Sequence, residues 1–200
     1  IEFMLCVRNQ AFNRKPGEKD DWCARGIADK DTYYYRGAFA DAVRAIDFVC
    51  SLEKTDVDRV FAAGESQGGA LTLAAASLDG RLKAIAPSAP FLCDYPDYFR
   101  LAGWPGDPIE AAAKEAGMSE EEMFKVLSYF DIKNFTDRIQ CPVIMAIGLQ
   151  DDVCPPHTNF AGYNHIRTEK SWICYPEAFH NVWQQEGWPI AKEDFFEKYI

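Results

Sequence analysis

Arg59-Val60-Phe61-Ala62-Ala63-Gly64-Glu65-Ser66-Gln67-Gly68-Gly69-Ala70 is the stretch whose reading decides the fold. Residues 59–63 form a strand-like run, and residues 70–78, rich in Ala and Leu, form a helix-like one. Between them stands G-x-S-x-G, the pattern of a nucleophile elbow. Such a turn is tight and strained, and glycines at 64 and 68 are expected because a Cβ there would strike the adjoining strand and helix. The strain lifts the serine Oγ clear of the sheet edge. It also aims the first free N–H groups of the helix, beginning with that of Gln67, at the place where an oxyanion would form.

Working outward, residues 83–87 read as the next short strand. Strand, helix, strand at this spacing is a β-α-β unit, so a parallel sheet with right-handed crossovers is expected. Residues 142–148, an unbroken apolar run, read as a buried parallel strand, and 170–175 as the strand after it. Pro155-Pro156 opens a helix running to about residue 166, and a last helix spans about 190–199. Toward the N-terminus, the period over 33–52 is helical. Phe39, Val43, Ile46 and Val49/Cys50 share one face, with Asp31 and Thr32 as caps. Tyr33-Tyr34-Tyr35 reads as packing, and Trp22 as either a docking anchor or a surface-packed ring. Residues 8–30 read as a long loop with charges at Glu18-Lys19-Asp20-Asp21. Residues 2–7, Glu2-Phe3-Met4-Leu5-Cys6-Val7, read as a buried strand. The chain thus opens at Ile1 on what looks like the middle of a sheet, and first strands are expected to precede it.

Residues 88–141 break the rhythm with prolines, glycines and aromatics. Two short helices are expected there, 108–116 and 119–130, the second opened by a capping box of Ser119 and Glu122. A helical insertion between strands suits a lid over the C-terminal edge of the sheet. With 200 residues, 48% of them hydrophobic, the chain suits one folded domain over 1–200 carrying this insertion at about 88–141. The net charge of −10 argues against nucleic acid and against anionic membrane surfaces as partners. The seven cysteines are scattered, with no C-x-x-C pair, which suits buried thiols in a reducing compartment better than disulfides or a metal site.

A serine hydroxyl needs a base to take its proton, and the base needs an acid to orient it. Asp151 and Asp152 both follow the apolar strand at 142–148. Asp151 comes first after it and is the favoured acid. Of the three histidines, His157 falls in the first turn of the following helix and His165 near its end. His180 lies in the loop after strand 170–175, far enough along to fold back over Ser66, and is the favoured base. Ser66, Asp151 and His180, with the Gln67 N–H as oxyanion donor, suit acyl transfer from an ester.

Several motifs together resemble the acetyl xylan esterase/cephalosporin C deacetylase family, carbohydrate esterase family seven. They are Arg25-Gly26-Ile27, Asp31 with Tyr33-Tyr34-Tyr35-Arg36-Gly37, the Gly64–Gly69 elbow, Pro90-Phe91-Leu92-Cys93-Asp94, and Asp151-x-x-Cys154-Pro155-Pro156 with Phe160-Ala161-x-Tyr163-Asn164. The resemblance implies an α/β-hydrolase fold, mostly parallel with helices on both faces, whose N-terminal strands are missing from this chain. It implies no metal and no cofactor. The implied substrates are small acetylated carbohydrates such as xylo-oligosaccharides, and cephalosporin-type acetyl esters. A cytoplasmic homo-oligomer, a hexamer, is also implied, and Ser66, Asp151 and His180 match that family's triad. The second oxyanion donor would lie in the family's N-terminal third. Three positions depart from the family pattern: Arg8-Asn9-Gln10-Ala11 where it has Arg-Gly-Gln-Gly, His157 where a serine is usual, and Asn181 where a glutamate is frequent. The same residues leave open another small-ester hydrolase of this fold, or a catalytically impaired chain.

Overall fold

The computed structural model describes residues 1–10, 12, 14 and 22–200. A four-stranded parallel sheet lies at its centre, in the order β1 (Phe61–Glu65), β2 (Ala84–Ser88), β3 (Val143–Gly148) and β4 (Lys170–Tyr175). The register sets Phe61 opposite Ala84, Ile85 opposite Val143, and Val143 opposite Lys170. Helices α1 (Tyr34–Ser51), α2 (Gln67–Leu78) and α6 (Pro156–His165) supply one side of the core, and α7 (Gly187–Glu197) the other. Alternation along β3 serves both sides. Val143, Met145 and Ile147 join the larger core with the α1, α2 and α6 side chains, while Ile144 and Ala146 meet Trp188 and Phe195 of α7. With both faces and both edges covered, every residue of β3 is buried, which is why its sequence is apolar without interruption. The same logic makes α2 apolar all round: residues 69–77 are buried without a break.

Residues 2–7 do not form the expected strand. They lie outside the sheet and are not buried: residues 2–4 are exposed and 5–7 half-buried, with the Phe3 ring meeting Phe48 of α1 at 5.1 Å and Leu5 and Val7 resting against the larger core. A short apolar run signals burial, but a strand also needs an edge to bond to, and apolarity alone does not supply one. A cavity of about 860 Å³ separates this segment from β1. The N-cap of α1 is Tyr33, without a side-chain cap bond, so Asp31 and Thr32 do not cap it. The three tyrosines are buried, and Trp22 packs on Tyr34, Tyr35, Phe91 and Trp104. The charged run 18–21 lies outside the described residues.

The insertion carries three helices where the sequence reading expected two: α3 (Tyr95–Leu101), α4 (Gly106–Glu115) and α5 (Glu120–Ser128). Pro96 reads as a helix breaker, yet it occupies the first turn of α3, where a missing N–H is not needed. α5 opens with the expected capping box: Ser119 Oγ accepts from the Glu122 N–H at 3.2 Å, and Glu122 Oε2 accepts from the Ser119 N–H at 2.8 Å. Because the strands are parallel, the chain leaves β1, β3 and β4 at the same rim, and Ser66, Asp151 and His180 lie in the segments that follow those strands.

Candidate active site

Ser66 joins β1 to α2 with φ 53° and ψ −115°, a conformation that L side chains adopt only when their surroundings hold them there. Three bonds do so. The Ser66 N–H donates to Ser88 O at 3.0 Å, and its carbonyl accepts from the N–H groups of Phe91 at 3.0 Å and Ala70 at 3.1 Å. The glycines contribute unequally. A Cβ on Gly64 would stand 2.3 Å from Gly68 O and 2.4 Å from Gly68 C, both backbone, so nothing larger than glycine fits. A Cβ on Gly68 would meet no heavy atom within 4 Å, and at Gly69 the nearest would be Ser88 O at 2.9 Å. The steric demand expected of Gly68 therefore falls on Gly69 instead, in milder form.

The three expected side chains meet at the sheet rim. His180 Nε2 lies 2.9 Å from Ser66 Oγ, and His180 Nδ1 lies 2.8 Å from Asp151 Oδ2. The Asp151 side chain is fully buried, and its second oxygen, Oδ1, accepts from the N–H groups of Val153 at 2.9 Å and Cys154 at 2.8 Å. The carboxylate is thus spent on three donors, as a buried charge requires. The His180 ring also stands edge-on to Trp183 at 5.1 Å. The alternatives fall elsewhere. Asp152 is exposed. His157 Nε2 pairs with Asp97 Oδ2 at 2.7 Å, and His165 Nδ1 lies 2.8 Å from Ala161 O within its own helix. Gln67 is the first residue of α2, so its N–H has no carbonyl one turn earlier to bond to and is open to an oxygen at Ser66.

Several neighbours escaped the sequence reading. Gln67 Nε2 donates to the hydroxyl of buried Tyr35 at 3.1 Å, which pins the residue after the serine. Cys154 Sγ lies 4.0 Å from Ser66 Oγ, and burial pushes its thiol up to about 12, so it stays protonated beside the serine. The Tyr98 hydroxyl donates to Val153 O and lies 3.5 Å from that sulfur. Motif spacing carried no signal for these contacts, which join segments far apart in sequence. Asp94, Asp97 and His157 form the one group among the described residues whose ligand atoms, all within 4.8 Å, could hold a metal. Lys133 already pairs with Asp94 at 2.5 Å, and Arg100 and His157 with Asp97, so both carboxylates are compensated without one.

A serine on a strained strand-to-helix turn, with the acid and the histidine arriving from later strands of a parallel sheet, defines an α/β-hydrolase fold. The profile described as Acetyl xylan esterase (AXE1) matches residues 7–188, and the chain belongs to that family. It is similar to the acetyl xylan esterase from Paenibacillus sp. R4, with 38% identity and a TM-score of 0.85 over 97% of this chain and 64% of that one. Acetyl xylan esterase 1 from Thermoanaerobacterium sp. is 31% identical with a TM-score of 0.80, over 97% of this chain and 65% of that one. Acetyl esterase Axe7A of Xylanibacter ruminicola is 36% identical over 160 residues, 79% of this chain and 35% of its own length. The chain therefore spans less than two thirds of each of these relatives.

Proposed function

We propose that this protein is a serine esterase that removes acetyl groups from small acetylated carbohydrates, xylo-oligosaccharides among them, and from cephalosporin-type acetyl esters. One observation carries the reading: a single imidazole bridges the Ser66 hydroxyl at 2.9 Å and a buried carboxylate at 2.8 Å. Ser66 Oγ attacks the ester carbonyl as His180 Nε2 takes its proton. Asp151 holds the His180 tautomer and balances the imidazolium. The Gln67 N–H donates to the oxyanion. His180 then protonates the departing sugar alcohol, which leaves an acetyl group on Ser66. Water activated by the same ring releases acetate and restores the serine. The donor set asks for no metal and no cofactor.

The acetyl preference draws on the names of the relatives. A homo-oligomer, a hexamer by family resemblance, working in the cytoplasm and apart from nucleic acid or membrane, completes the proposal. Among the described residues no helix is long and apolar enough to cross a membrane. The test is turnover of p-nitrophenyl esters of increasing acyl length and of acetylated xylo-oligosaccharides by the full-length protein and its Ser66→Ala variant. Acetyl should be preferred, and the variant should be inactive. Full activity in Ser66→Ala overturns the triad, and preference for longer acyl chains overturns the substrate.

A further inference from the structure

The two oxygens of Asp151 serve different partners. Oδ2 faces His180, while Oδ1 is held by the N–H groups of Val153 and Cys154. The Cys154 N–H belongs to the peptide unit whose carbonyl is Val153 O, and that carbonyl accepts from the Tyr98 hydroxyl. A trans peptide is a rigid plate with its C=O and N–H on opposite edges, so a bond that fixes one edge aims the other. A carbonyl that accepts a hydrogen bond also makes the N–H of its own peptide a stronger donor. Tyr98 is itself tightly placed. The residue is 1% exposed, and its ring stands edge-on to Phe91 at 5.6 Å. The start of its helix, α3, is anchored by buried Asp131, which accepts from the N–H groups of Asp94 at 2.8 Å and Tyr95 at 3.0 Å.

We propose that Tyr98 is a positioning residue for the acid of the triad. Its hydroxyl sets the tilt of the Val153–Cys154 peptide and, through it, the carboxylate that orients His180. The helical insertion is then a strut beneath the acid loop, whatever it also does above the substrate. This inference rests on the triad reading.

The test is Tyr98→Phe in the full-length protein, which keeps the ring and removes the hydroxyl, assayed with p-nitrophenyl acetate. The expected result is a fall in kcat of about tenfold, the scale of one hydrogen bond, with KM within about twofold. The same substitution is made beside Asp151→Ala, where it should cost nothing further, because the group it acts through is gone. A general packing defect would lower activity in both backgrounds and overturn the proposal, as would an unchanged kcat in the single variant. The strongly downfield proton resonance of the Asp151–His180 hydrogen bond should move in Tyr98→Phe. Should that variant not fold, site-specific 3-fluorotyrosine at position 98 keeps the shape and strengthens the donor. It must shift the same resonance, and an unmoved resonance overturns the proposal. Ser66→Ala separates the two levels. If it retains turnover, the triad reading falls and this one with it; if it is inactive while Tyr98→Phe matches the parent, only the role of Tyr98 falls.

Discussion

Replacing each glycine of the elbow by alanine, in the 200-residue chain, should give two opposite results. At Gly64 the new Cβ would sit 2.3 Å from Gly68 O, 2.4 Å from Gly68 C and 2.9 Å from Gly68 Cα. An ordinary carbon–oxygen contact is about 3.4 Å or more, so the backbone must open by about 1 Å. No side chain can yield in its place, because every atom struck is main chain. Overpacking of this kind costs about 1–3 kcal/mol or more. The displaced segment is the first turn of α2, directly beside Ser66, and a shift of about 1 Å in a reacting group costs about 10²-fold in rate. At Gly68 a Cβ would meet nothing within 4 Å, and the position is helical. Alanine there should gain about 0.5–1 kcal/mol from helix propensity and leave activity within about twofold. Urea unfolding gives the stabilities and p-nitrophenyl acetate turnover the activities. A Gly64→Ala variant as stable and active as the parent, or a Gly68→Ala variant worse than it, would refute the steric argument.

Two further outcomes follow from the site and its support. Asp151→Ala should lower kcat by about 10⁴-fold while Asp152→Ala stays within about twofold, because only the first carboxylate reaches His180; comparable losses in steady-state assays of the two would contradict the geometry. Burial holds the Asp131 carboxyl above its ordinary range, against the pull of the N–H groups bonded to it. The native state therefore binds that proton more tightly than the unfolded state does. The contribution is complete below the ordinary carboxyl range and is lost as pH rises through the raised value. The stability advantage of the parent over Asp131→Asn, measured by urea unfolding at several pH values, should accordingly shrink as pH rises; a growing advantage would reverse the sign.

The elbow and the order serine, acid, histidine were legible because each depends on local grammar. Gly64 and Ser66 sit in a turn with its own steric logic, which the spacing reported even though its second glycine demand falls on Gly69 and not Gly68, and the apolar run of β3 needs only its burial to be recognised. Parallel strands then required the three loops to emerge at one rim. The α5 cap was legible for the same reason, since Ser119 and Glu122 contact each other within one turn. Helix α3 was not, because Pro96 has opposite meanings at a helix start and in a helix interior, and local sequence does not say which applies. Residues 2–7 misled in the same way, since an apolar run suggests burial without supplying the neighbouring strand that would provide it, and here residues 2–4 stand exposed.

Sequence alone determined which residue types stand where parallel strands end, because backbone sterics and hydrophobic burial act at short range and leave marks at fixed spacings. Tertiary structure decided the rest. It closed the distances from the His180 ring to Ser66 and Asp151, placed the Cys154 thiol beside the serine, and brought Tyr98 from 55 residues away onto the peptide that holds Asp151. Those contacts join distant segments, and they follow from the packing of whole elements against the sheet, which no local pattern encodes.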